Sequence, residues 1–194
     1  MGIIIGFPGH TNRIYISVKL SKESLSPVKS PICSFDAKSG VLCSKCETKL
    51  RTGEISQDDV DASIRLTRLA ERNGEVNKFT LTRAVKLGEE TILVLKASDV
   101  NAVRGSEEIA HRIESELGRK TWFIESEASD RGFIETLFYP TKVFSVNLLW
   151  LPDGTRLTKV MAAGSADRSR TSPDKIRKIA KAIRDIELLI EYES

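Results

Sequence analysis

The strongest chemical signal in the chain lies between residues 33 and 46. Cys33-Ser-Phe-Asp36, an intervening loop with Gly40, and Cys43-Ser-Lys-Cys46 give the spacing C-x2-D-x6-C-x2-C. Two C-x2-C knuckles place four thiolates around one tetrahedral zinc ion, and here an aspartate stands in the second position. A carboxylate oxygen can bind zinc at about 2.0–2.2 Å, although the harder donor weakens the site relative to a fourth thiolate. The residues alone leave alternatives open. The fourth ligand can be Asp36, His10 or Glu47, or the three cysteines can sit reduced on a hairpin with no metal. Asp36 is the expected ligand, and the zinc is expected to be structural. A short segment with few apolar residues needs a staple to fold, and no general base lies nearby in sequence.

The second signal is charge. From Asp167 to Arg184 stand Arg168, Arg170, Lys175, Arg177, Lys178, Lys181 and Arg184, opposed by Asp167 and Asp174. That segment carries +5 of a total of +3, so the remaining residues sum to −2. A local basic surface is present on an otherwise balanced protein. A helix with Ile176, Ile179, Ala180 and Ile183 inward and its cations outward is, however, by itself what a solvated surface helix shows.

No constellation supports a reaction, and an enzyme is not expected. His10 and His111 stand apart, and neither a G-x-S-x-G elbow nor a Walker-type loop occurs. Asp58, Asp59 and Asp61 suit the N-terminal charge of a helix. Trp122 and Trp150 fall in expected strands and read as core or sheet-face residues. Three cysteines cannot form a closed set of disulfides, which points to an intracellular protein. The opening MGIIIGFPGH has no charge ahead of its apolar residues, and no run reaches membrane-spanning length. A cytoplasmic location with no membrane partner is the expectation.

These residues need elements to position them. Residues 1–30 carry one candidate strand, Arg13–Leu20, then a Ser/Lys/Pro-rich stretch. They read as a flexible extension or as a start assigned too early, with initiation near Val28. Intact mass of natively expressed protein tests that. Residues 31–75 read as the zinc knuckle and a helix opened by Ser56 and stopped at Asn73-Gly74, with Val60, Ile64, Leu66, Leu69 and Ala70 as its apolar stripe. Alternation then predicts a strand with Phe79, Leu81, Val85 and Leu87 on one side. Gly88-Glu89-Glu90 turns into Thr91–Lys96, whose ILVL suggests burial on both faces. After an irregular-looking stretch, ASDVNAVRGS, a helix is expected over 107–117 on Ile109, Ile113 and Leu117, then a strand over 120–125. A short helix before Pro140, strands 143–151 and 155–163 around Pro152-Asp153-Gly154, a helix from Pro173, and a strand on Ile186, Leu188, Ile190 and Tyr192 follow. The fold class is α+β, with a first unit over 76–126 and a second over 127–194.

The sequence ILVLKASDVNAVRGSEEIAHRIESELGRKTWFIE resembles the KH fold, a compact RNA-binding unit. In KH proteins a strand leads to a helix, a GxxG loop, a second helix carrying an Ile and ending E-x-x-L-G-[RK]-[KR], and a strand. Here stand Ile109 and Glu114-Ser115-Glu116-Leu117-Gly118-Arg119-Lys120. Aligning the isoleucines puts the loop at Val103-Arg104-Gly105-Ser106, so both outer glycines are replaced. Such glycines let backbone N–H groups approach phosphates. Downstream, Ser129-Asp130-Arg131-Gly132-Phe133-Ile134, Leu137-Phe138-Tyr139-Pro140 and Lys142-Val143 resemble the connector between paired KH units of NusA-type transcription factors.

The likeness covers residues 76–192 and is nearest to archaeal NusA-like proteins. It implies a zinc knuckle plus helix followed by tandem KH-like (NusA-type) units, the second with its loop near Arg170-Thr171-Ser172-Pro173. It also implies binding of single-stranded RNA in transcription elongation or termination. The residues implied to touch RNA are Arg104, Gly105, Ser106, Arg119 and Lys120 in the first unit and Arg177, Lys178 and Lys181 in the second. Loss of the loop glycines favours an alternative, a protein-interaction module that docks on RNA polymerase or the ribosome.

Overall fold

A computed structural model describes residues 28–164 and 172–193. The candidate strand at 13–20, His10 and the second loop's Arg170 and Thr171 lie outside those residues. The architecture is mixed α+β, with two three-stranded sheets among the described residues.

The knuckle consists of two short helices, α1 (Ser34–Ser39) and α2 (Ser44–Arg51), and the long α3 (Gln57–Arg72) follows. Ser56 caps α3, and the Asp59 side chain accepts back from the Ser56 N–H at 2.7 Å, a reciprocal capping box. The apolar stripe of α3 serves two neighbours. Val60 and half-buried Ile64 join Ile32, Ala37 and Cys46 of the knuckle, whereas Ala62, Leu66, Leu69 and Ala70 pack toward the first sheet.

That sheet has the order β1 (Leu81–Leu87), β2 (Glu90–Leu95), β3 (Lys120–Glu125), with β1 antiparallel and β3 parallel to β2. Every residue of β2 is buried, as the ILVL run predicts. One face, through Leu93 and Leu95, meets α3, α4 (Ala97–Arg104) and α5 (Glu107–Leu117). The other, through Ile92 and Ile124, meets α6 (Asp130–Phe138) and α7 (Pro173–Arg184).

Strand β1 departs from strict alternation. A bulge between Leu81 and Arg83 shifts its phase, so that Leu81 and Ala84 face one core while Val85 and Leu87 face the other. The expectation that Leu81, Val85 and Leu87 share a side is therefore corrected. The stretch that reads as irregular is also corrected, since residues 97–104 form α4, which turns Val100 and Val103 inward. Its Ser, Asp and Asn are weak helix formers, so packing rather than propensity sets it.

The second unit repeats the strand order, with one helix rather than two described between its second and third strands. Helix α6 precedes β4 (Val143–Trp150) and β5 (Arg156–Ala163), an antiparallel pair, and β6 (Leu188–Glu193) lies parallel to β5 after α7. Val160, Ala162, Leu188 and Ile190 face α6 and α7. Lys175 reaches back to the buried Glu90 of β2 at 2.8 Å, tying α7 to the first sheet. No described helix is long and apolar enough to cross a membrane.

Candidate metal centre and nucleic-acid cleft

The C-x2-D and C-x2-C spacings have one structural meaning, because each begins a helix. Cys33 is the N-cap of α1 and Cys43 the N-cap of α2. Three residues on, Asp36 and Cys46 lie in the first turns, back over their capping positions. Gly40 ends α1 in the left-handed conformation, φ 76°, which lets the chain reverse and bring the second cysteine pair onto the first.

The ligand atoms of Cys33, Asp36, Cys43 and Cys46 all lie within 4.8 Å of one another. Four thiolates about 2.3 Å from one tetrahedral ion are separated by about 3.8 Å, so a small contraction closes this group around a single metal. Asp36 is fully buried. Its Oδ2 accepts the Cys43 N–H at 3.0 Å, while Oδ1 has no partner. An orphaned, buried carboxylate oxygen among three sulfurs is the donor a metal requires. Glu47 is exposed on α2 outside this group, so Asp36 completes it.

The protonation of the site without metal follows from its surroundings. Burial pushes the Cys46 thiol up, and Asp36 beside it adds to the effect, to about 12. Burial also pushes the Asp36 carboxyl up. The Cys46 thiol beside it, then the Cys43 N–H and the nearby Cys33 and Cys43 side chains, outweigh burial and hold the group down to about 2. Metal binding at neutral pH therefore displaces the Cys46 proton and takes none from Asp36.

The remaining predicted residues separate into three places. Arg104 ends α4, Gly105 follows it, and Ser106 caps α5 through the Ile109 N–H. Both replaced glycines have structural work: Val103 is a core residue and Ser106 is the helix cap. Gly105 has ordinary φ, but an added Cβ would lie 3.3 Å from the Asn101 carbonyl. Arg104 stacks over the Tyr139 ring, 5.5 Å from its centroid. With Lys120, Trp122, Phe123 and Pro140 these side chains line an open cleft of about 470 Å³. Strand β3 borders it as the free edge of its sheet.

Arg119 points elsewhere and donates to the Gly88 carbonyl at the β1–β2 turn. The α7 cations lie in the second unit. Arg177 pairs with Asp174, and Lys181 with Asp185 and Glu187. Lys178 is exposed and makes no ion pair among the described residues. Of the predicted residues the structure thus gathers Arg104 and Lys120 on the cleft. It leaves Gly105 and Ser106 in the turn behind Arg104, and Arg119, Arg177, Lys178 and Lys181 elsewhere.

Sequence reasoning passed over the aromatic half of the cleft. Tyr139 was legible only as an aromatic left outside the helix periodicity just before Pro140, and it is 68% exposed. Trp122 is half-buried in the cleft wall and donates its indole N–H to Glu90 at 3.0 Å.

No family model and no curated protein matches the chain. Among solved structures, the chain is similar to one titled "Crystal structure of APE1850". That match has 14% identity and a TM-score of 0.46, and covers 66% of this chain and 95% of the other. A likeness this loose carries no inference about function.

Proposed function

We propose that the protein binds single-stranded RNA with KH-like units, in transcription elongation or termination, and that Cys33, Asp36, Cys43 and Cys46 hold a structural zinc. The observation that carries the reading is the cleft. Arg104 and Lys120 supply phosphate contacts and Tyr139 offers a face on which a base can stack, beside β3 at the edge of its sheet, where the Thr121 N–H is held by Glu114. The strand–helix–turn–helix–strand order of β2, α4, α5 and β3 frames it. The protein is cytoplasmic and not an enzyme in this reading.

Fluorescence anisotropy with a short unstructured RNA across a salt series tests it. Arg104→Glu and Tyr139→Ala should weaken binding, and affinity should fall as salt rises. An absence of binding at low salt by folded, metal-replete protein sinks the reading. Metal analysis of natively purified protein tests the zinc, and a ratio well below one ion per chain counts against it.

One observation favours a second reading, docking on RNA polymerase or the ribosome. The paired cations of α7 leave little free positive charge there, while Leu148, Leu149 and Trp150 of edge strand β4 are exposed. A partner retained in a pull-down after nuclease treatment and lost with Trp150→Ala would support it.

A further inference from the structure

The knuckle has an outer face that its metal site does not use. Phe35 is 72% exposed and Val41 68% exposed, and with Tyr139 they are the three most exposed large hydrophobic side chains described. Tyr139 belongs to the cleft, and the other two lie within the fourteen residues that carry the metal ligands. Their position is fixed by the ligand spacing. Phe35 stands between Cys33 and Asp36 on the first turn of α1, and Lys45 holds the equivalent place between Cys43 and Cys46 on α2. The ligand atoms converge, so these two side chains flank the same centre. Lys38 follows Phe35 by three residues and shares its side of the helix. Lys38 and Lys45 are exposed, and neither makes an ion pair among the described residues.

An aromatic ring exposed on a short helix, with one unpaired ammonium group a turn along and another on the companion helix, has one ligand chemistry that uses every part of it. A base stacks on the ring while flanking phosphates meet the lysines. An acidic peptide would use the lysines and leave the ring idle. We infer that the outer face of the knuckle is a second contact site for single-stranded nucleic acid, with Phe35 as the stacking platform and Lys38 and Lys45 as phosphate contacts. This rests on the RNA-binding reading and places a separate contact on a different element. A strand engaging both sites gains avidity without any new contact within either.

The experiment uses the full metal-replete chain and an unstructured RNA of about twenty nucleotides, read by anisotropy across a salt series. Phe35→Ala should weaken binding roughly 5- to 150-fold, the range of one lost base stack, and Phe35→Trp should retain it. Lys38→Ala/Lys45→Ala should lower the salt slope by about 1.4, at about 0.7 per phosphate on a single strand. Metal content and circular dichroism of each variant should match the wild type, since all three side chains are exposed. Unchanged binding in both knuckle variants overturns the inference, and if Arg104→Glu still weakens binding the cleft stands without it. Loss in the knuckle variants with Arg104→Glu unaffected leaves this site standing and removes the cleft. No binding by wild type removes both. Polyglutamate binding that responds to Phe35→Ala while RNA binding does not would assign the face to an acidic peptide and overturn the assignment.

Discussion

Asp59 is the residue whose removal should cost the fold most for its size. The notion that the three aspartates opening α3 serve only as helix-end charge understates it. Asp59 is buried, and its two carboxylate oxygens do different things. Oδ2 accepts the Ser56 N–H at 2.7 Å and the Ser56 hydroxyl at 2.9 Å, closing the cap. Oδ1 accepts the Ala84 N–H at 2.6 Å, a backbone donor on edge strand β1. Asp59→Ala therefore orphans two backbone donors, in the cap and in the strand. Hydrogen bonds to a charged group are worth about 1.5–3 kcal/mol each, and the two share one residue, so a total loss of about 3–4 kcal/mol is expected. At a urea slope of about 2–3 kcal/mol/M the unfolding midpoint should fall by about 1–2 M with the slope unchanged. Asp59→Asn keeps one acceptor and turns an amide toward the other donor, so it should lose about half as much. Asp61→Ala, whose side chain is partly exposed, is the control and should cost about 0.5 kcal/mol. A loss below about 1 kcal/mol for Asp59→Ala would refute the argument that this carboxylate joins helix to strand.

Metal removal should unfold the knuckle alone. Its cluster is small, chiefly Ile32, Ala37, Cys46, Ile55 and Val60, so chelation should abolish amide protection in α1 and α2 while β2 keeps its own; retained protection in α1 and α2 would remove the need for a staple. Zinc binding at pH 7 should release the Cys46 proton, seen as a calorimetric enthalpy that varies with buffer, and affinity should fall as pH is lowered. The Asp61–Lys86 pair should contribute a few tenths of a kcal/mol across the middle of the pH range. Burial pushes Asp61 up but hydrogen bonds from Lys86 and Gln57 bring it below the usual carboxylate value, so its share is lost as pH falls through that lowered value. Its bond to Asp61 holds Lys86 above the usual lysine value, so that share is lost only as pH rises through it; Lys86→Met should flatten both limbs of the stability curve. Lys175→Met should destabilise more than Lys178→Met in urea unfolding, because it leaves Glu90 buried with only the Trp122 indole as partner.

The elements most legible in the sequence are those whose signal is local. Helix α3 announces itself by Ser56 and the acidic turn behind it, and α5 by Ile109, Ile113 and Leu117 ended at Gly118. Strand β2 reads correctly because burial on both faces makes its ILVL centre a continuous apolar run. The failures are where tertiary packing decides. Helix α4 lacks a side-chain cap and is rich in Ser, Asp and Asn, so nothing local marks it. What holds it is Val100 and Val103 in the core and Asp99 accepting the Thr80 N–H at 2.7 Å. The bulge in β1 is likewise silent in sequence, because Arg83 can face either way until α3 claims the Ala84 N–H.

The metal group was legible because both halves of its spacing are closed inside single helix starts, so four residues named from sequence meet in space. The cleft was half legible for the opposite reason. Arg104 and Lys120 come from the strand–helix–helix–strand core, but Tyr139 arrives from the turn after α6, a unit later in the chain. The basic helix shows what charge counts miss. Its cations, summed along the sequence, look like an anion-binding surface, yet Lys181 and Arg184 each lie against a carboxylate outside the counted segment and Arg177 against Asp174 within it. Ion pairs of that kind steer a polyanion weakly, since the field of each cation is cancelled within a few ångströms. Free positive charge near an exposed ring is therefore the better guide to where RNA would lie. By that measure the described residues offer Arg104 at the cleft, Lys38 and Lys45 at the knuckle, and Arg156 over Trp150 and Lys142 over Phe144 on the second sheet, ahead of α7.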